Sequence, residues 1–213
     1  MKILVVAPSW IGDTILAQPL LALLKRNDPA ARIDVLAPDW SAPLLSRMAE
    51  VDAVIVNPFA HGEFSLGARR ALGRRLRGNA ASADFSTAFV LPNSWKSALV
   101  PFFAGIPRRI GYQGESRYLL LNERHRLDVA AHPQLVQRYA ALAGPLPATL
   151  PKAHLSSTIE QQQAVRRALN LPLDAAPVIF CPGAEYDAAK RWPAQHFAAL
   201  ARLVAGPQNP VWL

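Results

Sequence analysis

The sequence predicts a doubly wound α/β fold, a parallel sheet covered by helices on both faces, followed by the opening of a second domain of the same kind. Three observations carry this expectation. Short β-branched runs alternate with stretches of helical periodicity, the links between them are short, and the strand–helix pattern restarts after a proline-rich break.

Lys2–Ala7 reads as a strand, apolar from Ile3 onward, and Thr14–Arg26 follows with Ile15, Leu16, Leu20, Leu23 and Leu24 at helical spacing. Arg32–Ala37 predicts a second strand, Ser41–Met48 a helix and Asp52–Val56 a third strand. Leu66–Arg77 has Leu72 and Leu76 on one helical face and Arg70, Arg74 and Arg77 on another. Phe85–Leu91 is a strand, Ser94–Ala104 a helix, Arg109–Tyr112 a short strand, and His132–Leu142 and Thr158–Leu169 are helices. Prolines 145, 147 and 151 break the pattern within Ala143–Lys152, and Pro172 and Pro177 break it again. A strand at Val178–Cys181, a helix at Pro193–Val204 and a strand at Val211–Leu213 then restart it. Residues 1–150 are therefore expected to form the first domain, 151–176 a linker with a connecting helix, and 177–213 the incomplete start of a second. A lone βα unit leaves its strand edges unpaired, so the sequence reads as part of a longer chain.

Composition narrows the classes. Half of the 213 residues are apolar and under a fifth are charged, which suits a folded core and excludes a disordered chain. The single cysteine, Cys181, rules out an internal disulfide and reads as a small buried apolar residue. There is no apolar run long enough to span a bilayer and no signal-peptide pattern at Met1. The five histidines are scattered without ligand spacing, so no metal site is expected. The formal charge is +8, and cations concentrate between Arg69 and Arg126, where only Asp84, Glu115 and Glu123 oppose them. Such a segment fits nucleic acid, an anionic membrane, a phosphorylated or acidic substrate, or an ordinary solvated surface.

In a doubly wound sheet, ligands bind beyond the carboxyl ends of the strands, so the loops there hold the candidate residues. Pro8-Ser9-Trp10-Ile11-Gly12-Asp13-Thr14 joins the first strand to its helix. Gly12 permits close backbone approach beside a helix start. Asp13 admits two readings, an N-cap carboxylate that satisfies the first-turn amides, or a general base in the crevice. The loop is neither a dinucleotide fingerprint nor a P-loop. After the restart, Cys181-Pro182-Gly183-Ala184 leads through Glu185, Tyr186 and Asp187 to Lys190-Arg191-Trp192-Pro193. Backbone amides and the Lys190 ammonium there suit a diphosphate; the other reading is a surface loop with Trp192 packed against the domain. Arg70, Arg74 and Arg77 offer forked contacts to phosphates or carboxylates, and Asn93-Ser94-Trp95-Lys96-Ser97 follows a strand, placing Lys96 toward the crevice. Trp95 reads as a packing residue.

These segments carry a resemblance. Lys2 to Asp13, Pro43-Leu44-Leu45-Ser46-Arg47-Met48, Val90 to Pro107 with its Pro92-Asn93-Ser94-Trp95-Lys96-Ser97 core, and Cys181 to Pro193 stand in the order found in the bacterial ADP-heptose:lipopolysaccharide heptosyltransferases. The chain resembles that family over its whole length, and within it the heptosyltransferase II branch. The resemblance implies a GT-B fold: two Rossmann-like domains facing across a cleft, with the acceptor on the first and the nucleotide sugar mainly on the second. It implies transfer of L-glycero-D-manno-heptose from ADP-heptose to the first heptose of heptosyl-Kdo2-lipid A, with inversion and without a metal or other cofactor. On the same resemblance Asp13 is the base, and Lys190, with Gly12, Gly183 and Ala184, holds the donor. Ser9, Arg69, Arg70, Arg74, Asn93, Lys96 and Arg117 are the expected acceptor contacts. A cytoplasmic protein, peripheral at the inner membrane and without a nucleic-acid partner, follows. Heptosyltransferases continue for over a hundred further residues with an Asp-Ser-Gly-type donor loop, so activity is expected of the full-length protein. The competing readings are a glycosyltransferase of another nucleotide sugar, a basic nucleic-acid-binding protein and a catalytically silent remnant.

Overall fold

The computed structural model describes residues 1–59, 63–77, 85–172, 176–184, 188–206 and 209–213. Asp84, Glu185, Tyr186, Asp187 and part of the second proline-rich break lie outside the described residues. The chain divides into two compact units, Met1–Ser156 and Ser157–Leu213.

The first unit is built on β1 (Lys2–Val6), β2 (Arg32–Ala37), β3 (Ala53–Val56), β4 (Thr87–Val90), β5 (Arg108–Tyr112) and β6 (Glu123–His125). All neighbours are parallel, in the order β3-β2-β1-β4-β5-β6. The central strands β2, β1 and β4 are buried on both faces, which explains their mostly apolar sequences. Alternation along β1 sends Ile3 and Val5 into one core and Leu4 and Val6 into the other. On the first face pack α2 (Gln18–Asn27) and α6 (Leu135–Ala140), through Leu20, Leu21, Leu24 and Tyr139. On the second pack α4 (Leu66–Leu76) and α5 (Leu99–Phe103), through Leu72 and Val100. α4 and α5 approach so closely that a Cβ on Gly73 would stand 2.6 Å from Phe103 Cβ and 2.8 Å from the Val100 carbonyl oxygen.

Several expected helices are shorter, for local reasons. The Thr14–Arg26 stretch is two helices, α1 (Ile11–Leu16) and α2, separated at Ala17. Pro19 has no N–H to donate to Ile15 and its ring crowds the preceding turn, so the helix restarts with Pro19 in its first turn. Ser41–Met48 is a 3₁₀ turn, Asp39–Ser41, and a single turn, α3 (Ala42–Leu45). Ser94–Ala104 is a 3₁₀ turn, Trp95–Ala98, followed by α5, whose Pro101 falls where no intrahelical donor is needed. α6 starts only at Leu135, because Pro133 keeps His132 from helical geometry.

The expected linker does not begin at residue 151. Gln18, buried at the start of α2, donates to the His154 carbonyl at 2.6 Å and accepts from its N–H at 2.9 Å. The Ser156 N–H donates to the Arg47 carbonyl at 2.8 Å. These bonds attach the segment to the first unit as far as Ser156.

The second unit contains α7 (Ile159–Ala168), capped reciprocally by Thr158 and Gln161, then β7 (Val178–Ile179), α8 (Ala194–Val204) and β8 (Val211–Trp212). β7 and β8 are parallel, the βαβ geometry expected from the restart. β7 ends at Ile179, so Cys181 already stands in the loop and is exposed, contrary to the buried position expected for it. Among the described residues no helix is long and apolar enough to cross a membrane.

Candidate functional site

Strand order reverses between β1 and β4: connections run outward from β1 through β2 to β3, and from β4 through β5 to β6. The loops leaving β1 and β4 therefore diverge, and between them lies a cavity of about 480 Å³ in the first unit. Ala7, Pro8, Ser9, Trp10 and Asp13 line it from the β1 side, and Leu91, Pro92, Asn93, Ser94, Lys96 and Ser97 from the β4 side. Asn57 and Phe59 beyond β3, Arg69 of α4 and Tyr139 of α6 complete the wall with Glu115.

The structure argues against the N-cap reading of Asp13. Trp10, not Asp13, is the N-cap of α1, and the cap makes no side-chain hydrogen bond. Asp13 sits in the first helical turn, half-buried, with its carbonyl engaged by the Ala17 N–H at 3.0 Å. Its carboxylate receives no hydrogen bond and no ion pair from the described residues. Thr14, next in sequence, is buried and donates its hydroxyl to the Trp10 carbonyl at 2.9 Å, which fixes the turn that aims Asp13 at the cavity. A carboxylate with unengaged lone pairs on a rigid turn has the form a general base requires.

Tyr139 faces the same cavity, and sequence reasoning missed it because a tyrosine on an apolar helical face looks like any core residue. Burial raises its phenol pKa, and the nearby Asp13 carboxylate raises it further. The phenol therefore stays protonated beside Asp13 and is a neutral donor at the wall.

Arg69 is almost fully buried. It donates to the carbonyls of Glu63 at 3.0 Å and Lys96 at 3.3 Å and lies 4.0 Å over the Phe59 ring. Its Nε is buried with no partner, and burial lowers its pKa, opposed by Glu63. Among the described residues Arg69 forms no ion pair, so it leaves positive potential in the wall, to which the half-buried Lys96 adds. Ser9, Arg69, Asn93 and Lys96, four of the residues expected on the acceptor side, line one cavity together with Asp13, the expected base. Gly12 lies at the start of α1 with open space where a Cβ would point. Arg70 and Arg74 are exposed on α4 and outside the cavity lining.

Arg117 corrects the expectation placed on it. It is 1% exposed and donates to Tyr112 carbonyl oxygen at 2.6 Å, Pro92 carbonyl oxygen at 2.6 Å and Asn93 Oδ1 at 3.2 Å. Its guanidinium is occupied inside the protein and holds the β4 loop to β5, so it positions Asn93 rather than touching a ligand. In sequence it is indistinguishable from the exposed arginines around it.

Lys190 ends a 3₁₀ turn, Ala188–Lys190, and is exposed, as is Gly183. Ala184 is half-buried and its carbonyl accepts from Arg191 Nε at 3.0 Å, which draws the ends of the loop together. Trp192 stacks on His196 at 5.3 Å and meets Phe197 edge-on at 5.0 Å, so it anchors the loop to α8.

Residues 69–213 match the family model of glycosyltransferase family 9 (heptosyltransferase). The chain is 46% identical over 211 residues to lipopolysaccharide heptosyltransferase 2 of Escherichia coli K12, covering 95% of this chain and 60% of the relative. It is 44% identical over 215 residues to lipooligosaccharide heptosyltransferase 2 of Haemophilus ducreyi, covering 96% and 60%. The solved structure of the E. coli ADP-heptose lps heptosyltransferase II superposes with a TM-score of 0.88 at 43% identity, over 99% of this chain and 63% of that one. The chain thus spans about 60% of the length of the curated relatives it matches.

Replacing Arg117 with methionine should lower stability by about 2–4 kcal/mol, because the Tyr112 and Pro92 carbonyls lose their donor in a buried place. Urea unfolding measures this, and an unchanged midpoint would show that Arg117 does not brace the loop.

Proposed function

Because the chain belongs to glycosyltransferase family 9, the heptosyltransferase family, we propose that the intact protein transfers L-glycero-D-manno-heptose from ADP-heptose to the first heptose of heptosyl-Kdo2-lipid A, with inversion. The reaction is assigned to the intact protein, since its relatives are longer than this chain. The observation that carries the reading is the unengaged Asp13 carboxylate in the crevice beside β1.

The acceptor hydroxyl oxygen attacks the anomeric carbon of the donor while its proton passes to Asp13. The bond from that carbon to the diphosphate oxygen breaks, and its electron pair leaves with ADP. Lys190 and the backbone of the Gly183–Ala184 loop take the role of stabilising the departing diphosphate. Arg69 and Lys96 give the acceptor side a cationic wall, complementary to a substrate rich in phosphates and carboxylates. Ser9 and Asn93 serve as its neutral polar contacts, and Gly12 leaves space in front of the helix start. Peripheral residence at the cytoplasmic face of the inner membrane belongs to the same proposal, because the acceptor is anchored there by lipid.

Incubating the intact protein with ADP-heptose and heptosyl-Kdo2-lipid A should add the mass of one heptose. No product, or faster transfer from a different nucleotide sugar, would contradict the assignment. Lys190→Ala should weaken ADP-heptose binding about tenfold or more by calorimetry, the loss expected for one charge-assisted hydrogen bond. An unchanged donor affinity would remove Lys190 from the phosphate site.

A further inference from the structure

We propose that the flank of the first unit next to the cavity is a docking surface for an anionic lipid bilayer. The surface starts at Trp95, the neighbour of cavity-lining Lys96, whose exposed ring packs against the exposed Phe64 at 4.9 Å. Trp95 and Leu120 border one shallow dent. The turn before Leu120 presents Tyr118 at 63% and Leu119 at 86% exposure, and Phe102 lies exposed on α5.

Contacts show that these residues form one surface. Arg109 donates to the Leu120 carbonyl at 2.7 Å and lies 5.6 Å from the Phe102 ring. Arg124 donates to the Tyr118 carbonyl at 2.7 Å and lies 5.3 Å from its ring. Single exposed apolar residues are ordinary on protein surfaces, whereas a connected set of large ones marks a place of contact.

The charges choose the partner. Glu123 is paired with Arg108 at 2.9 Å, and Glu115 accepts the Trp95 N–H at 3.1 Å. Arg109 and Arg124 bond to carbonyl oxygens and, among the described residues, form no ion pair. Exposed Arg70 and Arg74 on α4, which packs against α5, add further cations. Aromatic and leucine side chains interleaved with unneutralised arginines fit the boundary between anionic headgroups and acyl chains, where tryptophan and tyrosine reside by preference. Docked there, the cavity would stand at the membrane surface, within reach of a lipid-borne acceptor. That last step rests on the functional reading given above, whereas the docking itself can be measured without any substrate.

The test is co-sedimentation of the intact protein with vesicles of phosphatidylethanolamine and phosphatidylglycerol, or of phosphatidylcholine alone, in the absence of acceptor. Binding should be confined to the anionic vesicles. Leu119→Glu should reduce it about tenfold, the loss of one buried leucine, while Val56→Glu, exposed on β3 at the opposite edge of the sheet, should leave it unchanged. Equal binding to both vesicles, or binding indifferent to Leu119→Glu, overturns the proposal. So does a dimer in sedimentation velocity that Leu119→Glu dissolves, since the patch would then serve self-association. Transfer to a de-acylated acceptor separates this proposal from the functional one: Leu119→Glu should retain it, and its absence in the wild type contradicts the reaction while leaving the vesicle result standing.

Discussion

Between β1 and β4 the sheet reverses its direction of construction, and the rest of the site depends on the gap this opens. Parallel strands point their carboxyl ends the same way, and each connection crosses back over one face. Where two successive connections cross opposite faces, the loops must part. In this chain the parted loops are 7–13 and 91–97, and the residues with chemical potential are concentrated on them. The buried central strands β2, β1 and β4 supply the rigidity, so the turn carrying Asp13 is held by main-chain pairing and by the buried Thr14 hydroxyl.

Polar groups around the cavity are kept at a cost to stability. A guanidinium as buried as Arg69, with its Nε unpaired, is unfavourable by itself; an unsatisfied buried donor costs about 1–3 kcal/mol. Carbonyl partners and the Phe59 ring offset part of this. Arg117 contrasts with it, since every contact it makes is internal and its work is to tie the β4 loop to β5. Two buried arginines thus divide the labour: one leaves positive potential in the wall and the other fixes the loop on which Asn93 sits.

Much of the fold was legible because strand length and helical period are local properties. Lys2–Ala7, Arg32–Ala37 and the strand ending near Leu91 were visible as short, mostly apolar stretches of strand length. β6 was missed because Glu123-Arg124-His125 pairs only through its backbone at the sheet edge and has no apolar pattern. Helix ends were misplaced where prolines 19, 101 and 133 reset the geometry. In the site, Ser9, Asp13, Asn93 and Lys96 follow strands directly, so topology alone located them. Asn57, Phe59 and Tyr139 arrive from elsewhere in the chain, and only tertiary packing brings them to the cavity. Arg117 failed for the converse reason, because sequence reveals its charge and not its burial.

The proposed transfer depends on Asp13 as the group that receives the acceptor's proton. The direct measurement is turnover by Asp13→Ala in the intact protein, read beside the affinity of the same variant for ADP-heptose. Loss of a general base should slow transfer by about 100-fold or more while donor affinity stays within about twofold. Turnover close to that of the unaltered protein would contradict the account.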